Sequence, residues 1–81
     1  MTEDARLSYI HEGFTPDQIS EIEEGMKAGI DVSVYARKDF LAMQMRQIRK
    51  GLTDNLPMAV YAKPEYDWFQ LEEIREGLSS Y

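Results

Sequence analysis

The 81-residue chain has no cysteine and one histidine, His11. Without cysteine it can form neither a disulfide framework nor a thiolate metal site. No second imidazole is present to share a metal with His11, so we expect that side chain to be solvated. The sequence also lacks a glycine-rich phosphate loop, an EF-hand loop and the nucleophile elbow of a serine hydrolase. These absences predict a protein that is not an enzyme and that binds no cofactor and no metal.

Long apolar runs are also absent. No segment approaches the roughly 20 apolar residues that a membrane-spanning helix needs. The start, Met1-Thr2-Glu3-Asp4, is acidic and polar, unlike a secretory signal. We therefore expect a cytoplasmic protein that does not contact a membrane. The short length predicts one helical-repeat domain over residues 1–81.

What the chain does contain is a period of 26 residues. A fixed period of this size indicates a repeat architecture, in which each unit buries its apolar face against its neighbour. The pattern predicts an all-α fold with three main helices, arranged as a compact bundle or a short solenoid. The recurring positions are Tyr9/Tyr35/Tyr61, Phe14/Phe40/Tyr66, Gln18/Gln44/Gln70, Ile22/Ile48/Ile74 and Gly25/Gly51/Gly77.

Helix boundaries are clearest in the first and third units. Thr15 can cap a helix, Pro16 suits its first position and Gln18 completes a capping box. Gly29 suits the position just after the helix, so we predict a helix over 16–28 and, by the same pattern, another over 68–79. In the middle unit Leu41 cannot cap with its side chain. We therefore expect Asp39 to cap a helix over 40–54, which starts about two residues early.

Two apolar connectors, 30–36 and 56–62, join these helices. Their alternating residues leave an extended strand open, but we favour a short helical or 3₁₀ turn in each, with Asp31 capping the first. Glycine inside a helix costs about 1 kcal/mol relative to alanine. Gly25 therefore suggests a packing requirement, namely that the connector lies close against its own helix.

Two groups of residues are not required by the period. Trp68 and Phe69 have no aromatic counterparts in the other units, so they either seal the end of the array or anchor a partner. Arg46, Arg49 and Lys50 lie on one side of the middle helix, in a segment, 37–50, with five basic residues and one acidic residue. They either form a basic patch for an acidic partner or pair internally with glutamates of the flanking helices.

The units resemble a helical repeat of Gram-positive bacterial proteins, identified by the phrase Q-M-x-x-I-R-x-G-L followed by D-V-S-x-Y-A. The phrase is matched at residues 44–52 and 70–78 and, for its second part, at 31–36. The first unit departs at Glu23 and Met26, and the second connector has lost the Asp-Val-Ser. The resemblance implies no activity and no site residues, because none are assigned to the family.

Two functions are compatible with these observations. The leading hypothesis is a non-catalytic protein-interaction module, with an unknown protein partner or self-association. The alternative is a regulator linked to nucleic acid, acting through the basic patch or as an acidic mimic of DNA. The net charge of −6 makes direct binding to a phosphate backbone the less favoured form.

Overall fold

The computed structural model describes residues 3–80, so Met1 and Thr2 of the polar start, and Tyr81, lie outside the described residues. Four α-helices are present: α1 (Glu3–Glu12), α2 (Pro16–Lys27), α3 (Ala42–Thr53) and α4 (Trp68–Ser79). One-turn 3₁₀ helices, Val32–Val34 and Met58–Val60, lie in the two connectors. No strand occurs between residues 3 and 80, which confirms the all-α prediction. The 3₁₀ turns confirm that the connectors are short helical turns rather than strands.

The helices stack in chain order. The principal contacts join α1 to α2, α2 to α3 and α3 to α4, while each 3₁₀ turn packs against the helix before it. Helices α2, α3 and α4 begin at residues 16, 42 and 68, which are 26 residues apart. The stack measures 39 × 25 × 16 Å. One core runs through it, formed by Phe14, Ile19, Ile22, Tyr35, Phe40, Met45, Ile48, Met58 and Leu71.

The predicted ends of α2 agree with the structure. Thr15 Oγ1 accepts from the Gln18 amide at 3.2 Å, and Gln18 Oε1 accepts from the Thr15 amide at 2.9 Å. At the other end Gly29 adopts a φ of +73°, and the Ile30 amide donates to the Gly25 carbonyl at 3.1 Å. This closure folds the connector back onto α2.

The start of α3 differs from the prediction. The cap position belongs to Leu41, with φ −75° and ψ 157°, and not to Asp39, which instead forms an exposed ion pair with Arg37. The Leu41 amide donates to Gln44 Oε1 at 2.7 Å, so the glutamine half of a capping box is sufficient here. The helix starts at the residue equivalent to those of the other units because the Gln44 side chain is also held by the next unit.

The N-terminal segment forms a further helix of ten residues, α1, which was not among the three predicted main helices. Gly13 ends it with a φ of +96°, which a residue with a side chain rarely adopts. The Phe14 amide then donates to the Tyr9 carbonyl at 3.1 Å, and the two rings pack edge to face with centroids 5.3 Å apart. These contacts hold α1 against the start of α2.

Candidate interaction surface

The first turn of α4 presents two exposed aromatic side chains. Asp67 caps this helix through the Gln70 amide at 2.9 Å, so the helix begins at Trp68. Trp68 is 39% exposed and Phe69 is 51% exposed, and their rings pack edge to face with centroids 5.7 Å apart. We call these two residues the aromatic pair. Because the two rings touch, they form one contiguous apolar patch that faces solvent.

A second exposed region lies on the same helix, and we call it the α4 outer face: Gln70, Glu73, Ile74 and Gly77. The residues 26 and 52 positions earlier are buried, in α2 as Gln18, Glu21, Ile22 and Gly25 and in α3 as Gln44, Gln47, Ile48 and Gly51. In α4 the glutamine, the glutamate and the glycine are exposed and the isoleucine is partly exposed. Equivalent positions therefore differ in burial because α2 and α3 each have a following unit packed on them.

Hydrogen bonds show how the following unit is held. Gln18 Nε2 donates to the Phe40 carbonyl at 2.6 Å, and Gln44 Nε2 donates to the Tyr66 carbonyl at 2.6 Å. Each glutamine thus links its own helix start to a backbone carbonyl 22 residues later. Within the described part of the chain, Gln70 Nε2 has no acceptor, although Gln70 Oε1 still accepts from the Asp67 amide.

The glycines of this face make room for the connectors. The Tyr35 ring lies over Gly25, and its hydroxyl donates to the Glu21 carbonyl at 2.6 Å. Met58 lies over Gly51 in the same way. At Gly77, among the described residues and apart from the backbone of α4 itself, no atom lies within 4 Å of the position that a Cβ would occupy. The prediction that the connector packs closely on Gly25 is confirmed. Burial also raises the pKa of the Tyr35 hydroxyl well above its usual value.

The predicted basic patch is partly paired inside the molecule. The buried carboxylate of Glu21 accepts from Arg46 Nε at 3.2 Å and from Arg49 at 3.3 Å. Arg49 is mostly covered, while Arg46 remains half exposed. Lys50 is exposed, and it pairs with no acidic side chain among those that the structure describes, at residues 5–80. Both arginines therefore join α3 to α2, so for these two residues the structure shows internal pairing with a glutamate of a flanking helix.

The next pair of helices repeats this contact with an uncharged acceptor. Arg75 Nε donates to Gln47 Oε1 at 3.0 Å, so Arg75 and Gln47 take the places of Arg49 and Glu21. The sequence prediction named the glutamates of the flanking helices only as a group and did not single out Glu21. The signal was present, since an arginine lies 28 residues after each of the two acceptors.

The sequence prediction named the aromatic pair but missed the α4 outer face. The residue types gave a signal, because Gln70 and Gly77 retain the glutamine and glycine that are buried in α2 and α3. What the sequence could not provide was the burial of the earlier counterparts. The face is recognised only when equivalent positions are compared in three dimensions.

Concave regions of the described surface are small. A groove of about 230 Å³ lies between the first turns of α2 and α3. The side chains described, at residues 5–80, include no group of three or more histidine, cysteine or acidic side chains placed to hold a metal. No helix in this range is both long and apolar enough to cross a membrane. The groove is lined by Asp17, Ser20, Glu21, Ala42, Met43 and Arg46.

Comparison with known proteins gives no relative. No protein-family model, curated protein or solved structure matches this chain.

Proposed function

We propose that this chain is a non-catalytic protein-interaction module that binds its partner through α4. The observation that supports the proposal is the exposure of the aromatic pair beside the α4 outer face. Aromatic side chains contribute much of the binding energy at protein interfaces, especially when neighbouring contacts exclude water. Trp68 and Phe69 are exposed at the first turn of a capped helix, which presents them in a defined orientation.

The basic residues contribute less to this proposal. Arg46 and Arg49 share the carboxylate of Glu21, so much of their charge is compensated within the chain. Lys50 remains exposed, but one lysine on a chain of net charge −6 gives little attraction for a phosphate backbone. We therefore assign partner binding to α4 and a structural role to the two arginines.

The proposal includes a bacterial origin, as the resemblance to bacterial repeats implies, and a cytoplasmic location. The absence of cysteine fits a reducing compartment. Fractionation of the producing cells, with the chain detected by antibody, tests the location. Recovery with the membrane fraction after a high-salt wash would contradict it.

Site-specific photo-cross-linking tests the interaction function. A photoreactive residue replaces Phe69 in one variant and Asp54 in a control, since both side chains are exposed and Asp54 lies at the end of α3. After irradiation in the producing cells, we expect discrete adducts with a protein from position 69 and none from position 54. No adduct at position 69, or the same adducts at both positions, would refute the proposal.

A mobility-shift assay tests the nucleic-acid alternative. We expect no shift of random duplex DNA at low salt, because the net charge is negative and two of the three basic side chains of the patch are paired. A shift that disappears in the Lys50→Glu variant would support the alternative function instead.

A further inference from the structure

The α4 outer face lacks the contacts that its counterparts make. In α2 and α3 the equivalent glutamine donates to a carbonyl of the next unit, and the equivalent glycine is covered by a connector side chain. On α4 neither Gln70 nor Gly77 has such a contact among residues 3–80. The face therefore has the shape and the free donor of a surface that receives one further unit.

The other end of the stack lacks the matching donor. The Phe14 carbonyl is equivalent to the Phe40 and Tyr66 carbonyls, which each accept from a glutamine. The residue after Phe14, Thr15, has φ −75° and ψ 160°, nearly the same as Leu41 after Phe40. No donor from the described residues lies on the Phe14 carbonyl. The first unit thus presents a free acceptor in the same local conformation.

Apolar side chains accompany this free acceptor. Leu7 and Ile10 of α1 are each 49% exposed. Ile10 is equivalent to Ala36 and Ala62, which are partly buried against the core. The exposed side chain of Ile10 is therefore available for apolar packing, as Ala36 and Ala62 already pack within the stack.

We propose that a second copy of this chain docks its first unit on the α4 outer face, head to tail. The inference rests on the proposed interaction function and names a partner for it. In the docked pair, Gln70 Nε2 donates to the Phe14 carbonyl of the second copy, and α1 of that copy covers Gly77. The hydrogen bond is equivalent to the two internal glutamine bonds, whereas the helix contact differs, because α1 of the second copy already lies against its own α2 through the Arg6–Glu23 ion pair. Because the two surfaces differ, the contact leaves a free face at each end and permits longer chains.

Charge makes this junction weaker than the internal contacts. Within the stack, Arg49 donates to Glu21 and Arg75 donates to Gln47. At the junction Glu73 is equivalent to the two acceptors, Glu21 and Gln47. The residue equivalent to the two arginines is Glu23 of the second copy, and this glutamate is already paired with Arg6 of its own chain. Two carboxylates near one arginine are less favourable than one. We therefore expect association that depends on concentration rather than a permanent assembly.

Sedimentation velocity over a concentration series tests the proposal with the full chain. Gln70→Glu removes the donor and should weaken association about tenfold or more, which corresponds to about 1.4 kcal/mol. Glu73→Arg places an opposite charge near Glu23 and should tighten association by up to about fivefold, as expected of an exposed ion pair. Glu76→Arg is the matched control with the same change in charge. It should have no comparable effect, because Glu76 and its equivalents Glu24 and Lys50 are all exposed.

A mixing experiment separates this contact from a symmetric one. Gly77→Trp blocks the α4 face and Ile10→Lys blocks the first unit. We expect the fold to accommodate both replacements, since the described residues leave space around a Cβ at Gly77 and Ile10 is half exposed. Each variant alone should be monomeric, while their mixture should form a dimer through the one intact junction. Circular dichroism of each variant checks that the helices are retained.

Three results would overturn the inference. The first is a monomer at every concentration for both the parent chain and Glu73→Arg. The second is association that Gln70→Glu and Gly77→Trp leave unchanged, and the third is a mixture without dimer. A monomeric chain that still forms adducts with another protein from position 69 would contradict only the head-to-tail contact and leave the interaction function intact. Absence of adducts from position 69 would contradict the interaction function.

Discussion

The three helical glycines allow one chemical change to be tested in three environments. Replacement of glycine by alanine inside a helix stabilises the folded state by about 1 kcal/mol. At Gly77 we expect this gain to be unopposed, because no atom of the described residues, apart from the backbone of α4 itself, lies within 4 Å of the added methyl group. Gly77→Ala should therefore raise the free energy of unfolding by about 1 kcal/mol and the Tm by about 4–8 °C for a domain of this size.

At Gly25 the same change meets the connector. The new Cβ would overlap the Tyr35 hydroxyl and lie 2.7 Å from Val32 Cγ1. The ring is rigid and fully buried, so overpacking should cost about 1–3 kcal/mol, and loss of the hydrogen bond to the Glu21 carbonyl about 1 kcal/mol. After the helix gain of about 1 kcal/mol is subtracted, Gly25→Ala should lose about 1–3 kcal/mol.

Gly51→Ala should lie between these two variants. Its Cβ would overlap Met58 Cγ and lie 2.7 Å from Met58 Sδ, but methionine adjusts more easily than tyrosine. We expect a change from near zero to a loss of about 2 kcal/mol. Urea denaturation followed by far-ultraviolet circular dichroism measures all three, at a low protein concentration that prevents association. If Gly25→Ala is as stable as Gly77→Ala, the close packing of the connector on α2 is wrong.

Three further predictions concern the contacts between units. Tyr35→Phe should lose about 1 kcal/mol in urea denaturation, because one hydrogen bond is removed while the ring remains; no loss would show that this bond is energetically neutral. Gln18→Glu should lose about 2 kcal/mol or more, since a carboxylate would face a carbonyl, whereas Gln70→Glu retains its cap and should stay within about 0.5 kcal/mol of the parent in the monomer. Equal losses of stability in Gln18→Glu and Gln70→Glu would contradict the conclusion that this face is covered in α2 and open in α4. Glu21→Gln should lose less than about 1 kcal/mol, because an amide can still accept from Arg49, while Glu21→Ala should lose about 1–3 kcal/mol; the reverse order in thermal melts would contradict the role of Glu21 as acceptor.

Much of the fold could be predicted from local sequence signals. Capping residues placed the starts of α2 and α4, and the left-handed conformation of Gly29 and Asn55 agrees with their residue types. The start of α3 could not be placed in this way, because Gln44 is held by the Tyr66 carbonyl of another unit. A contact over 22 residues therefore overrode the stronger local cap that Asp39 offered.

The candidate surface was only partly predictable for a related reason. Trp68 and Phe69 differ from their equivalents, so the sequence alone drew attention to them. The α4 outer face does not differ in residue type at Gln70 and Gly77, and only its surroundings set it apart. The sequence identifies residues that differ from their equivalents in the other units. The structure is needed to identify residues that keep the repeated type but lack the contacts of their equivalents.

The glutamines connect helix formation with stacking, and this connection bears on how the ends of the stack behave. In α2 and α3 one side chain uses its oxygen to hold its own helix start and its nitrogen to hold the next unit. Loss of either contact frees the amide to rotate and weakens the other, so the two contacts should be cooperative rather than additive. In α4 the oxygen of Gln70 is engaged and the nitrogen is free. The start of α4 therefore lacks this reinforcement, and a unit that docks on the outer face would stabilise the very helix that receives it.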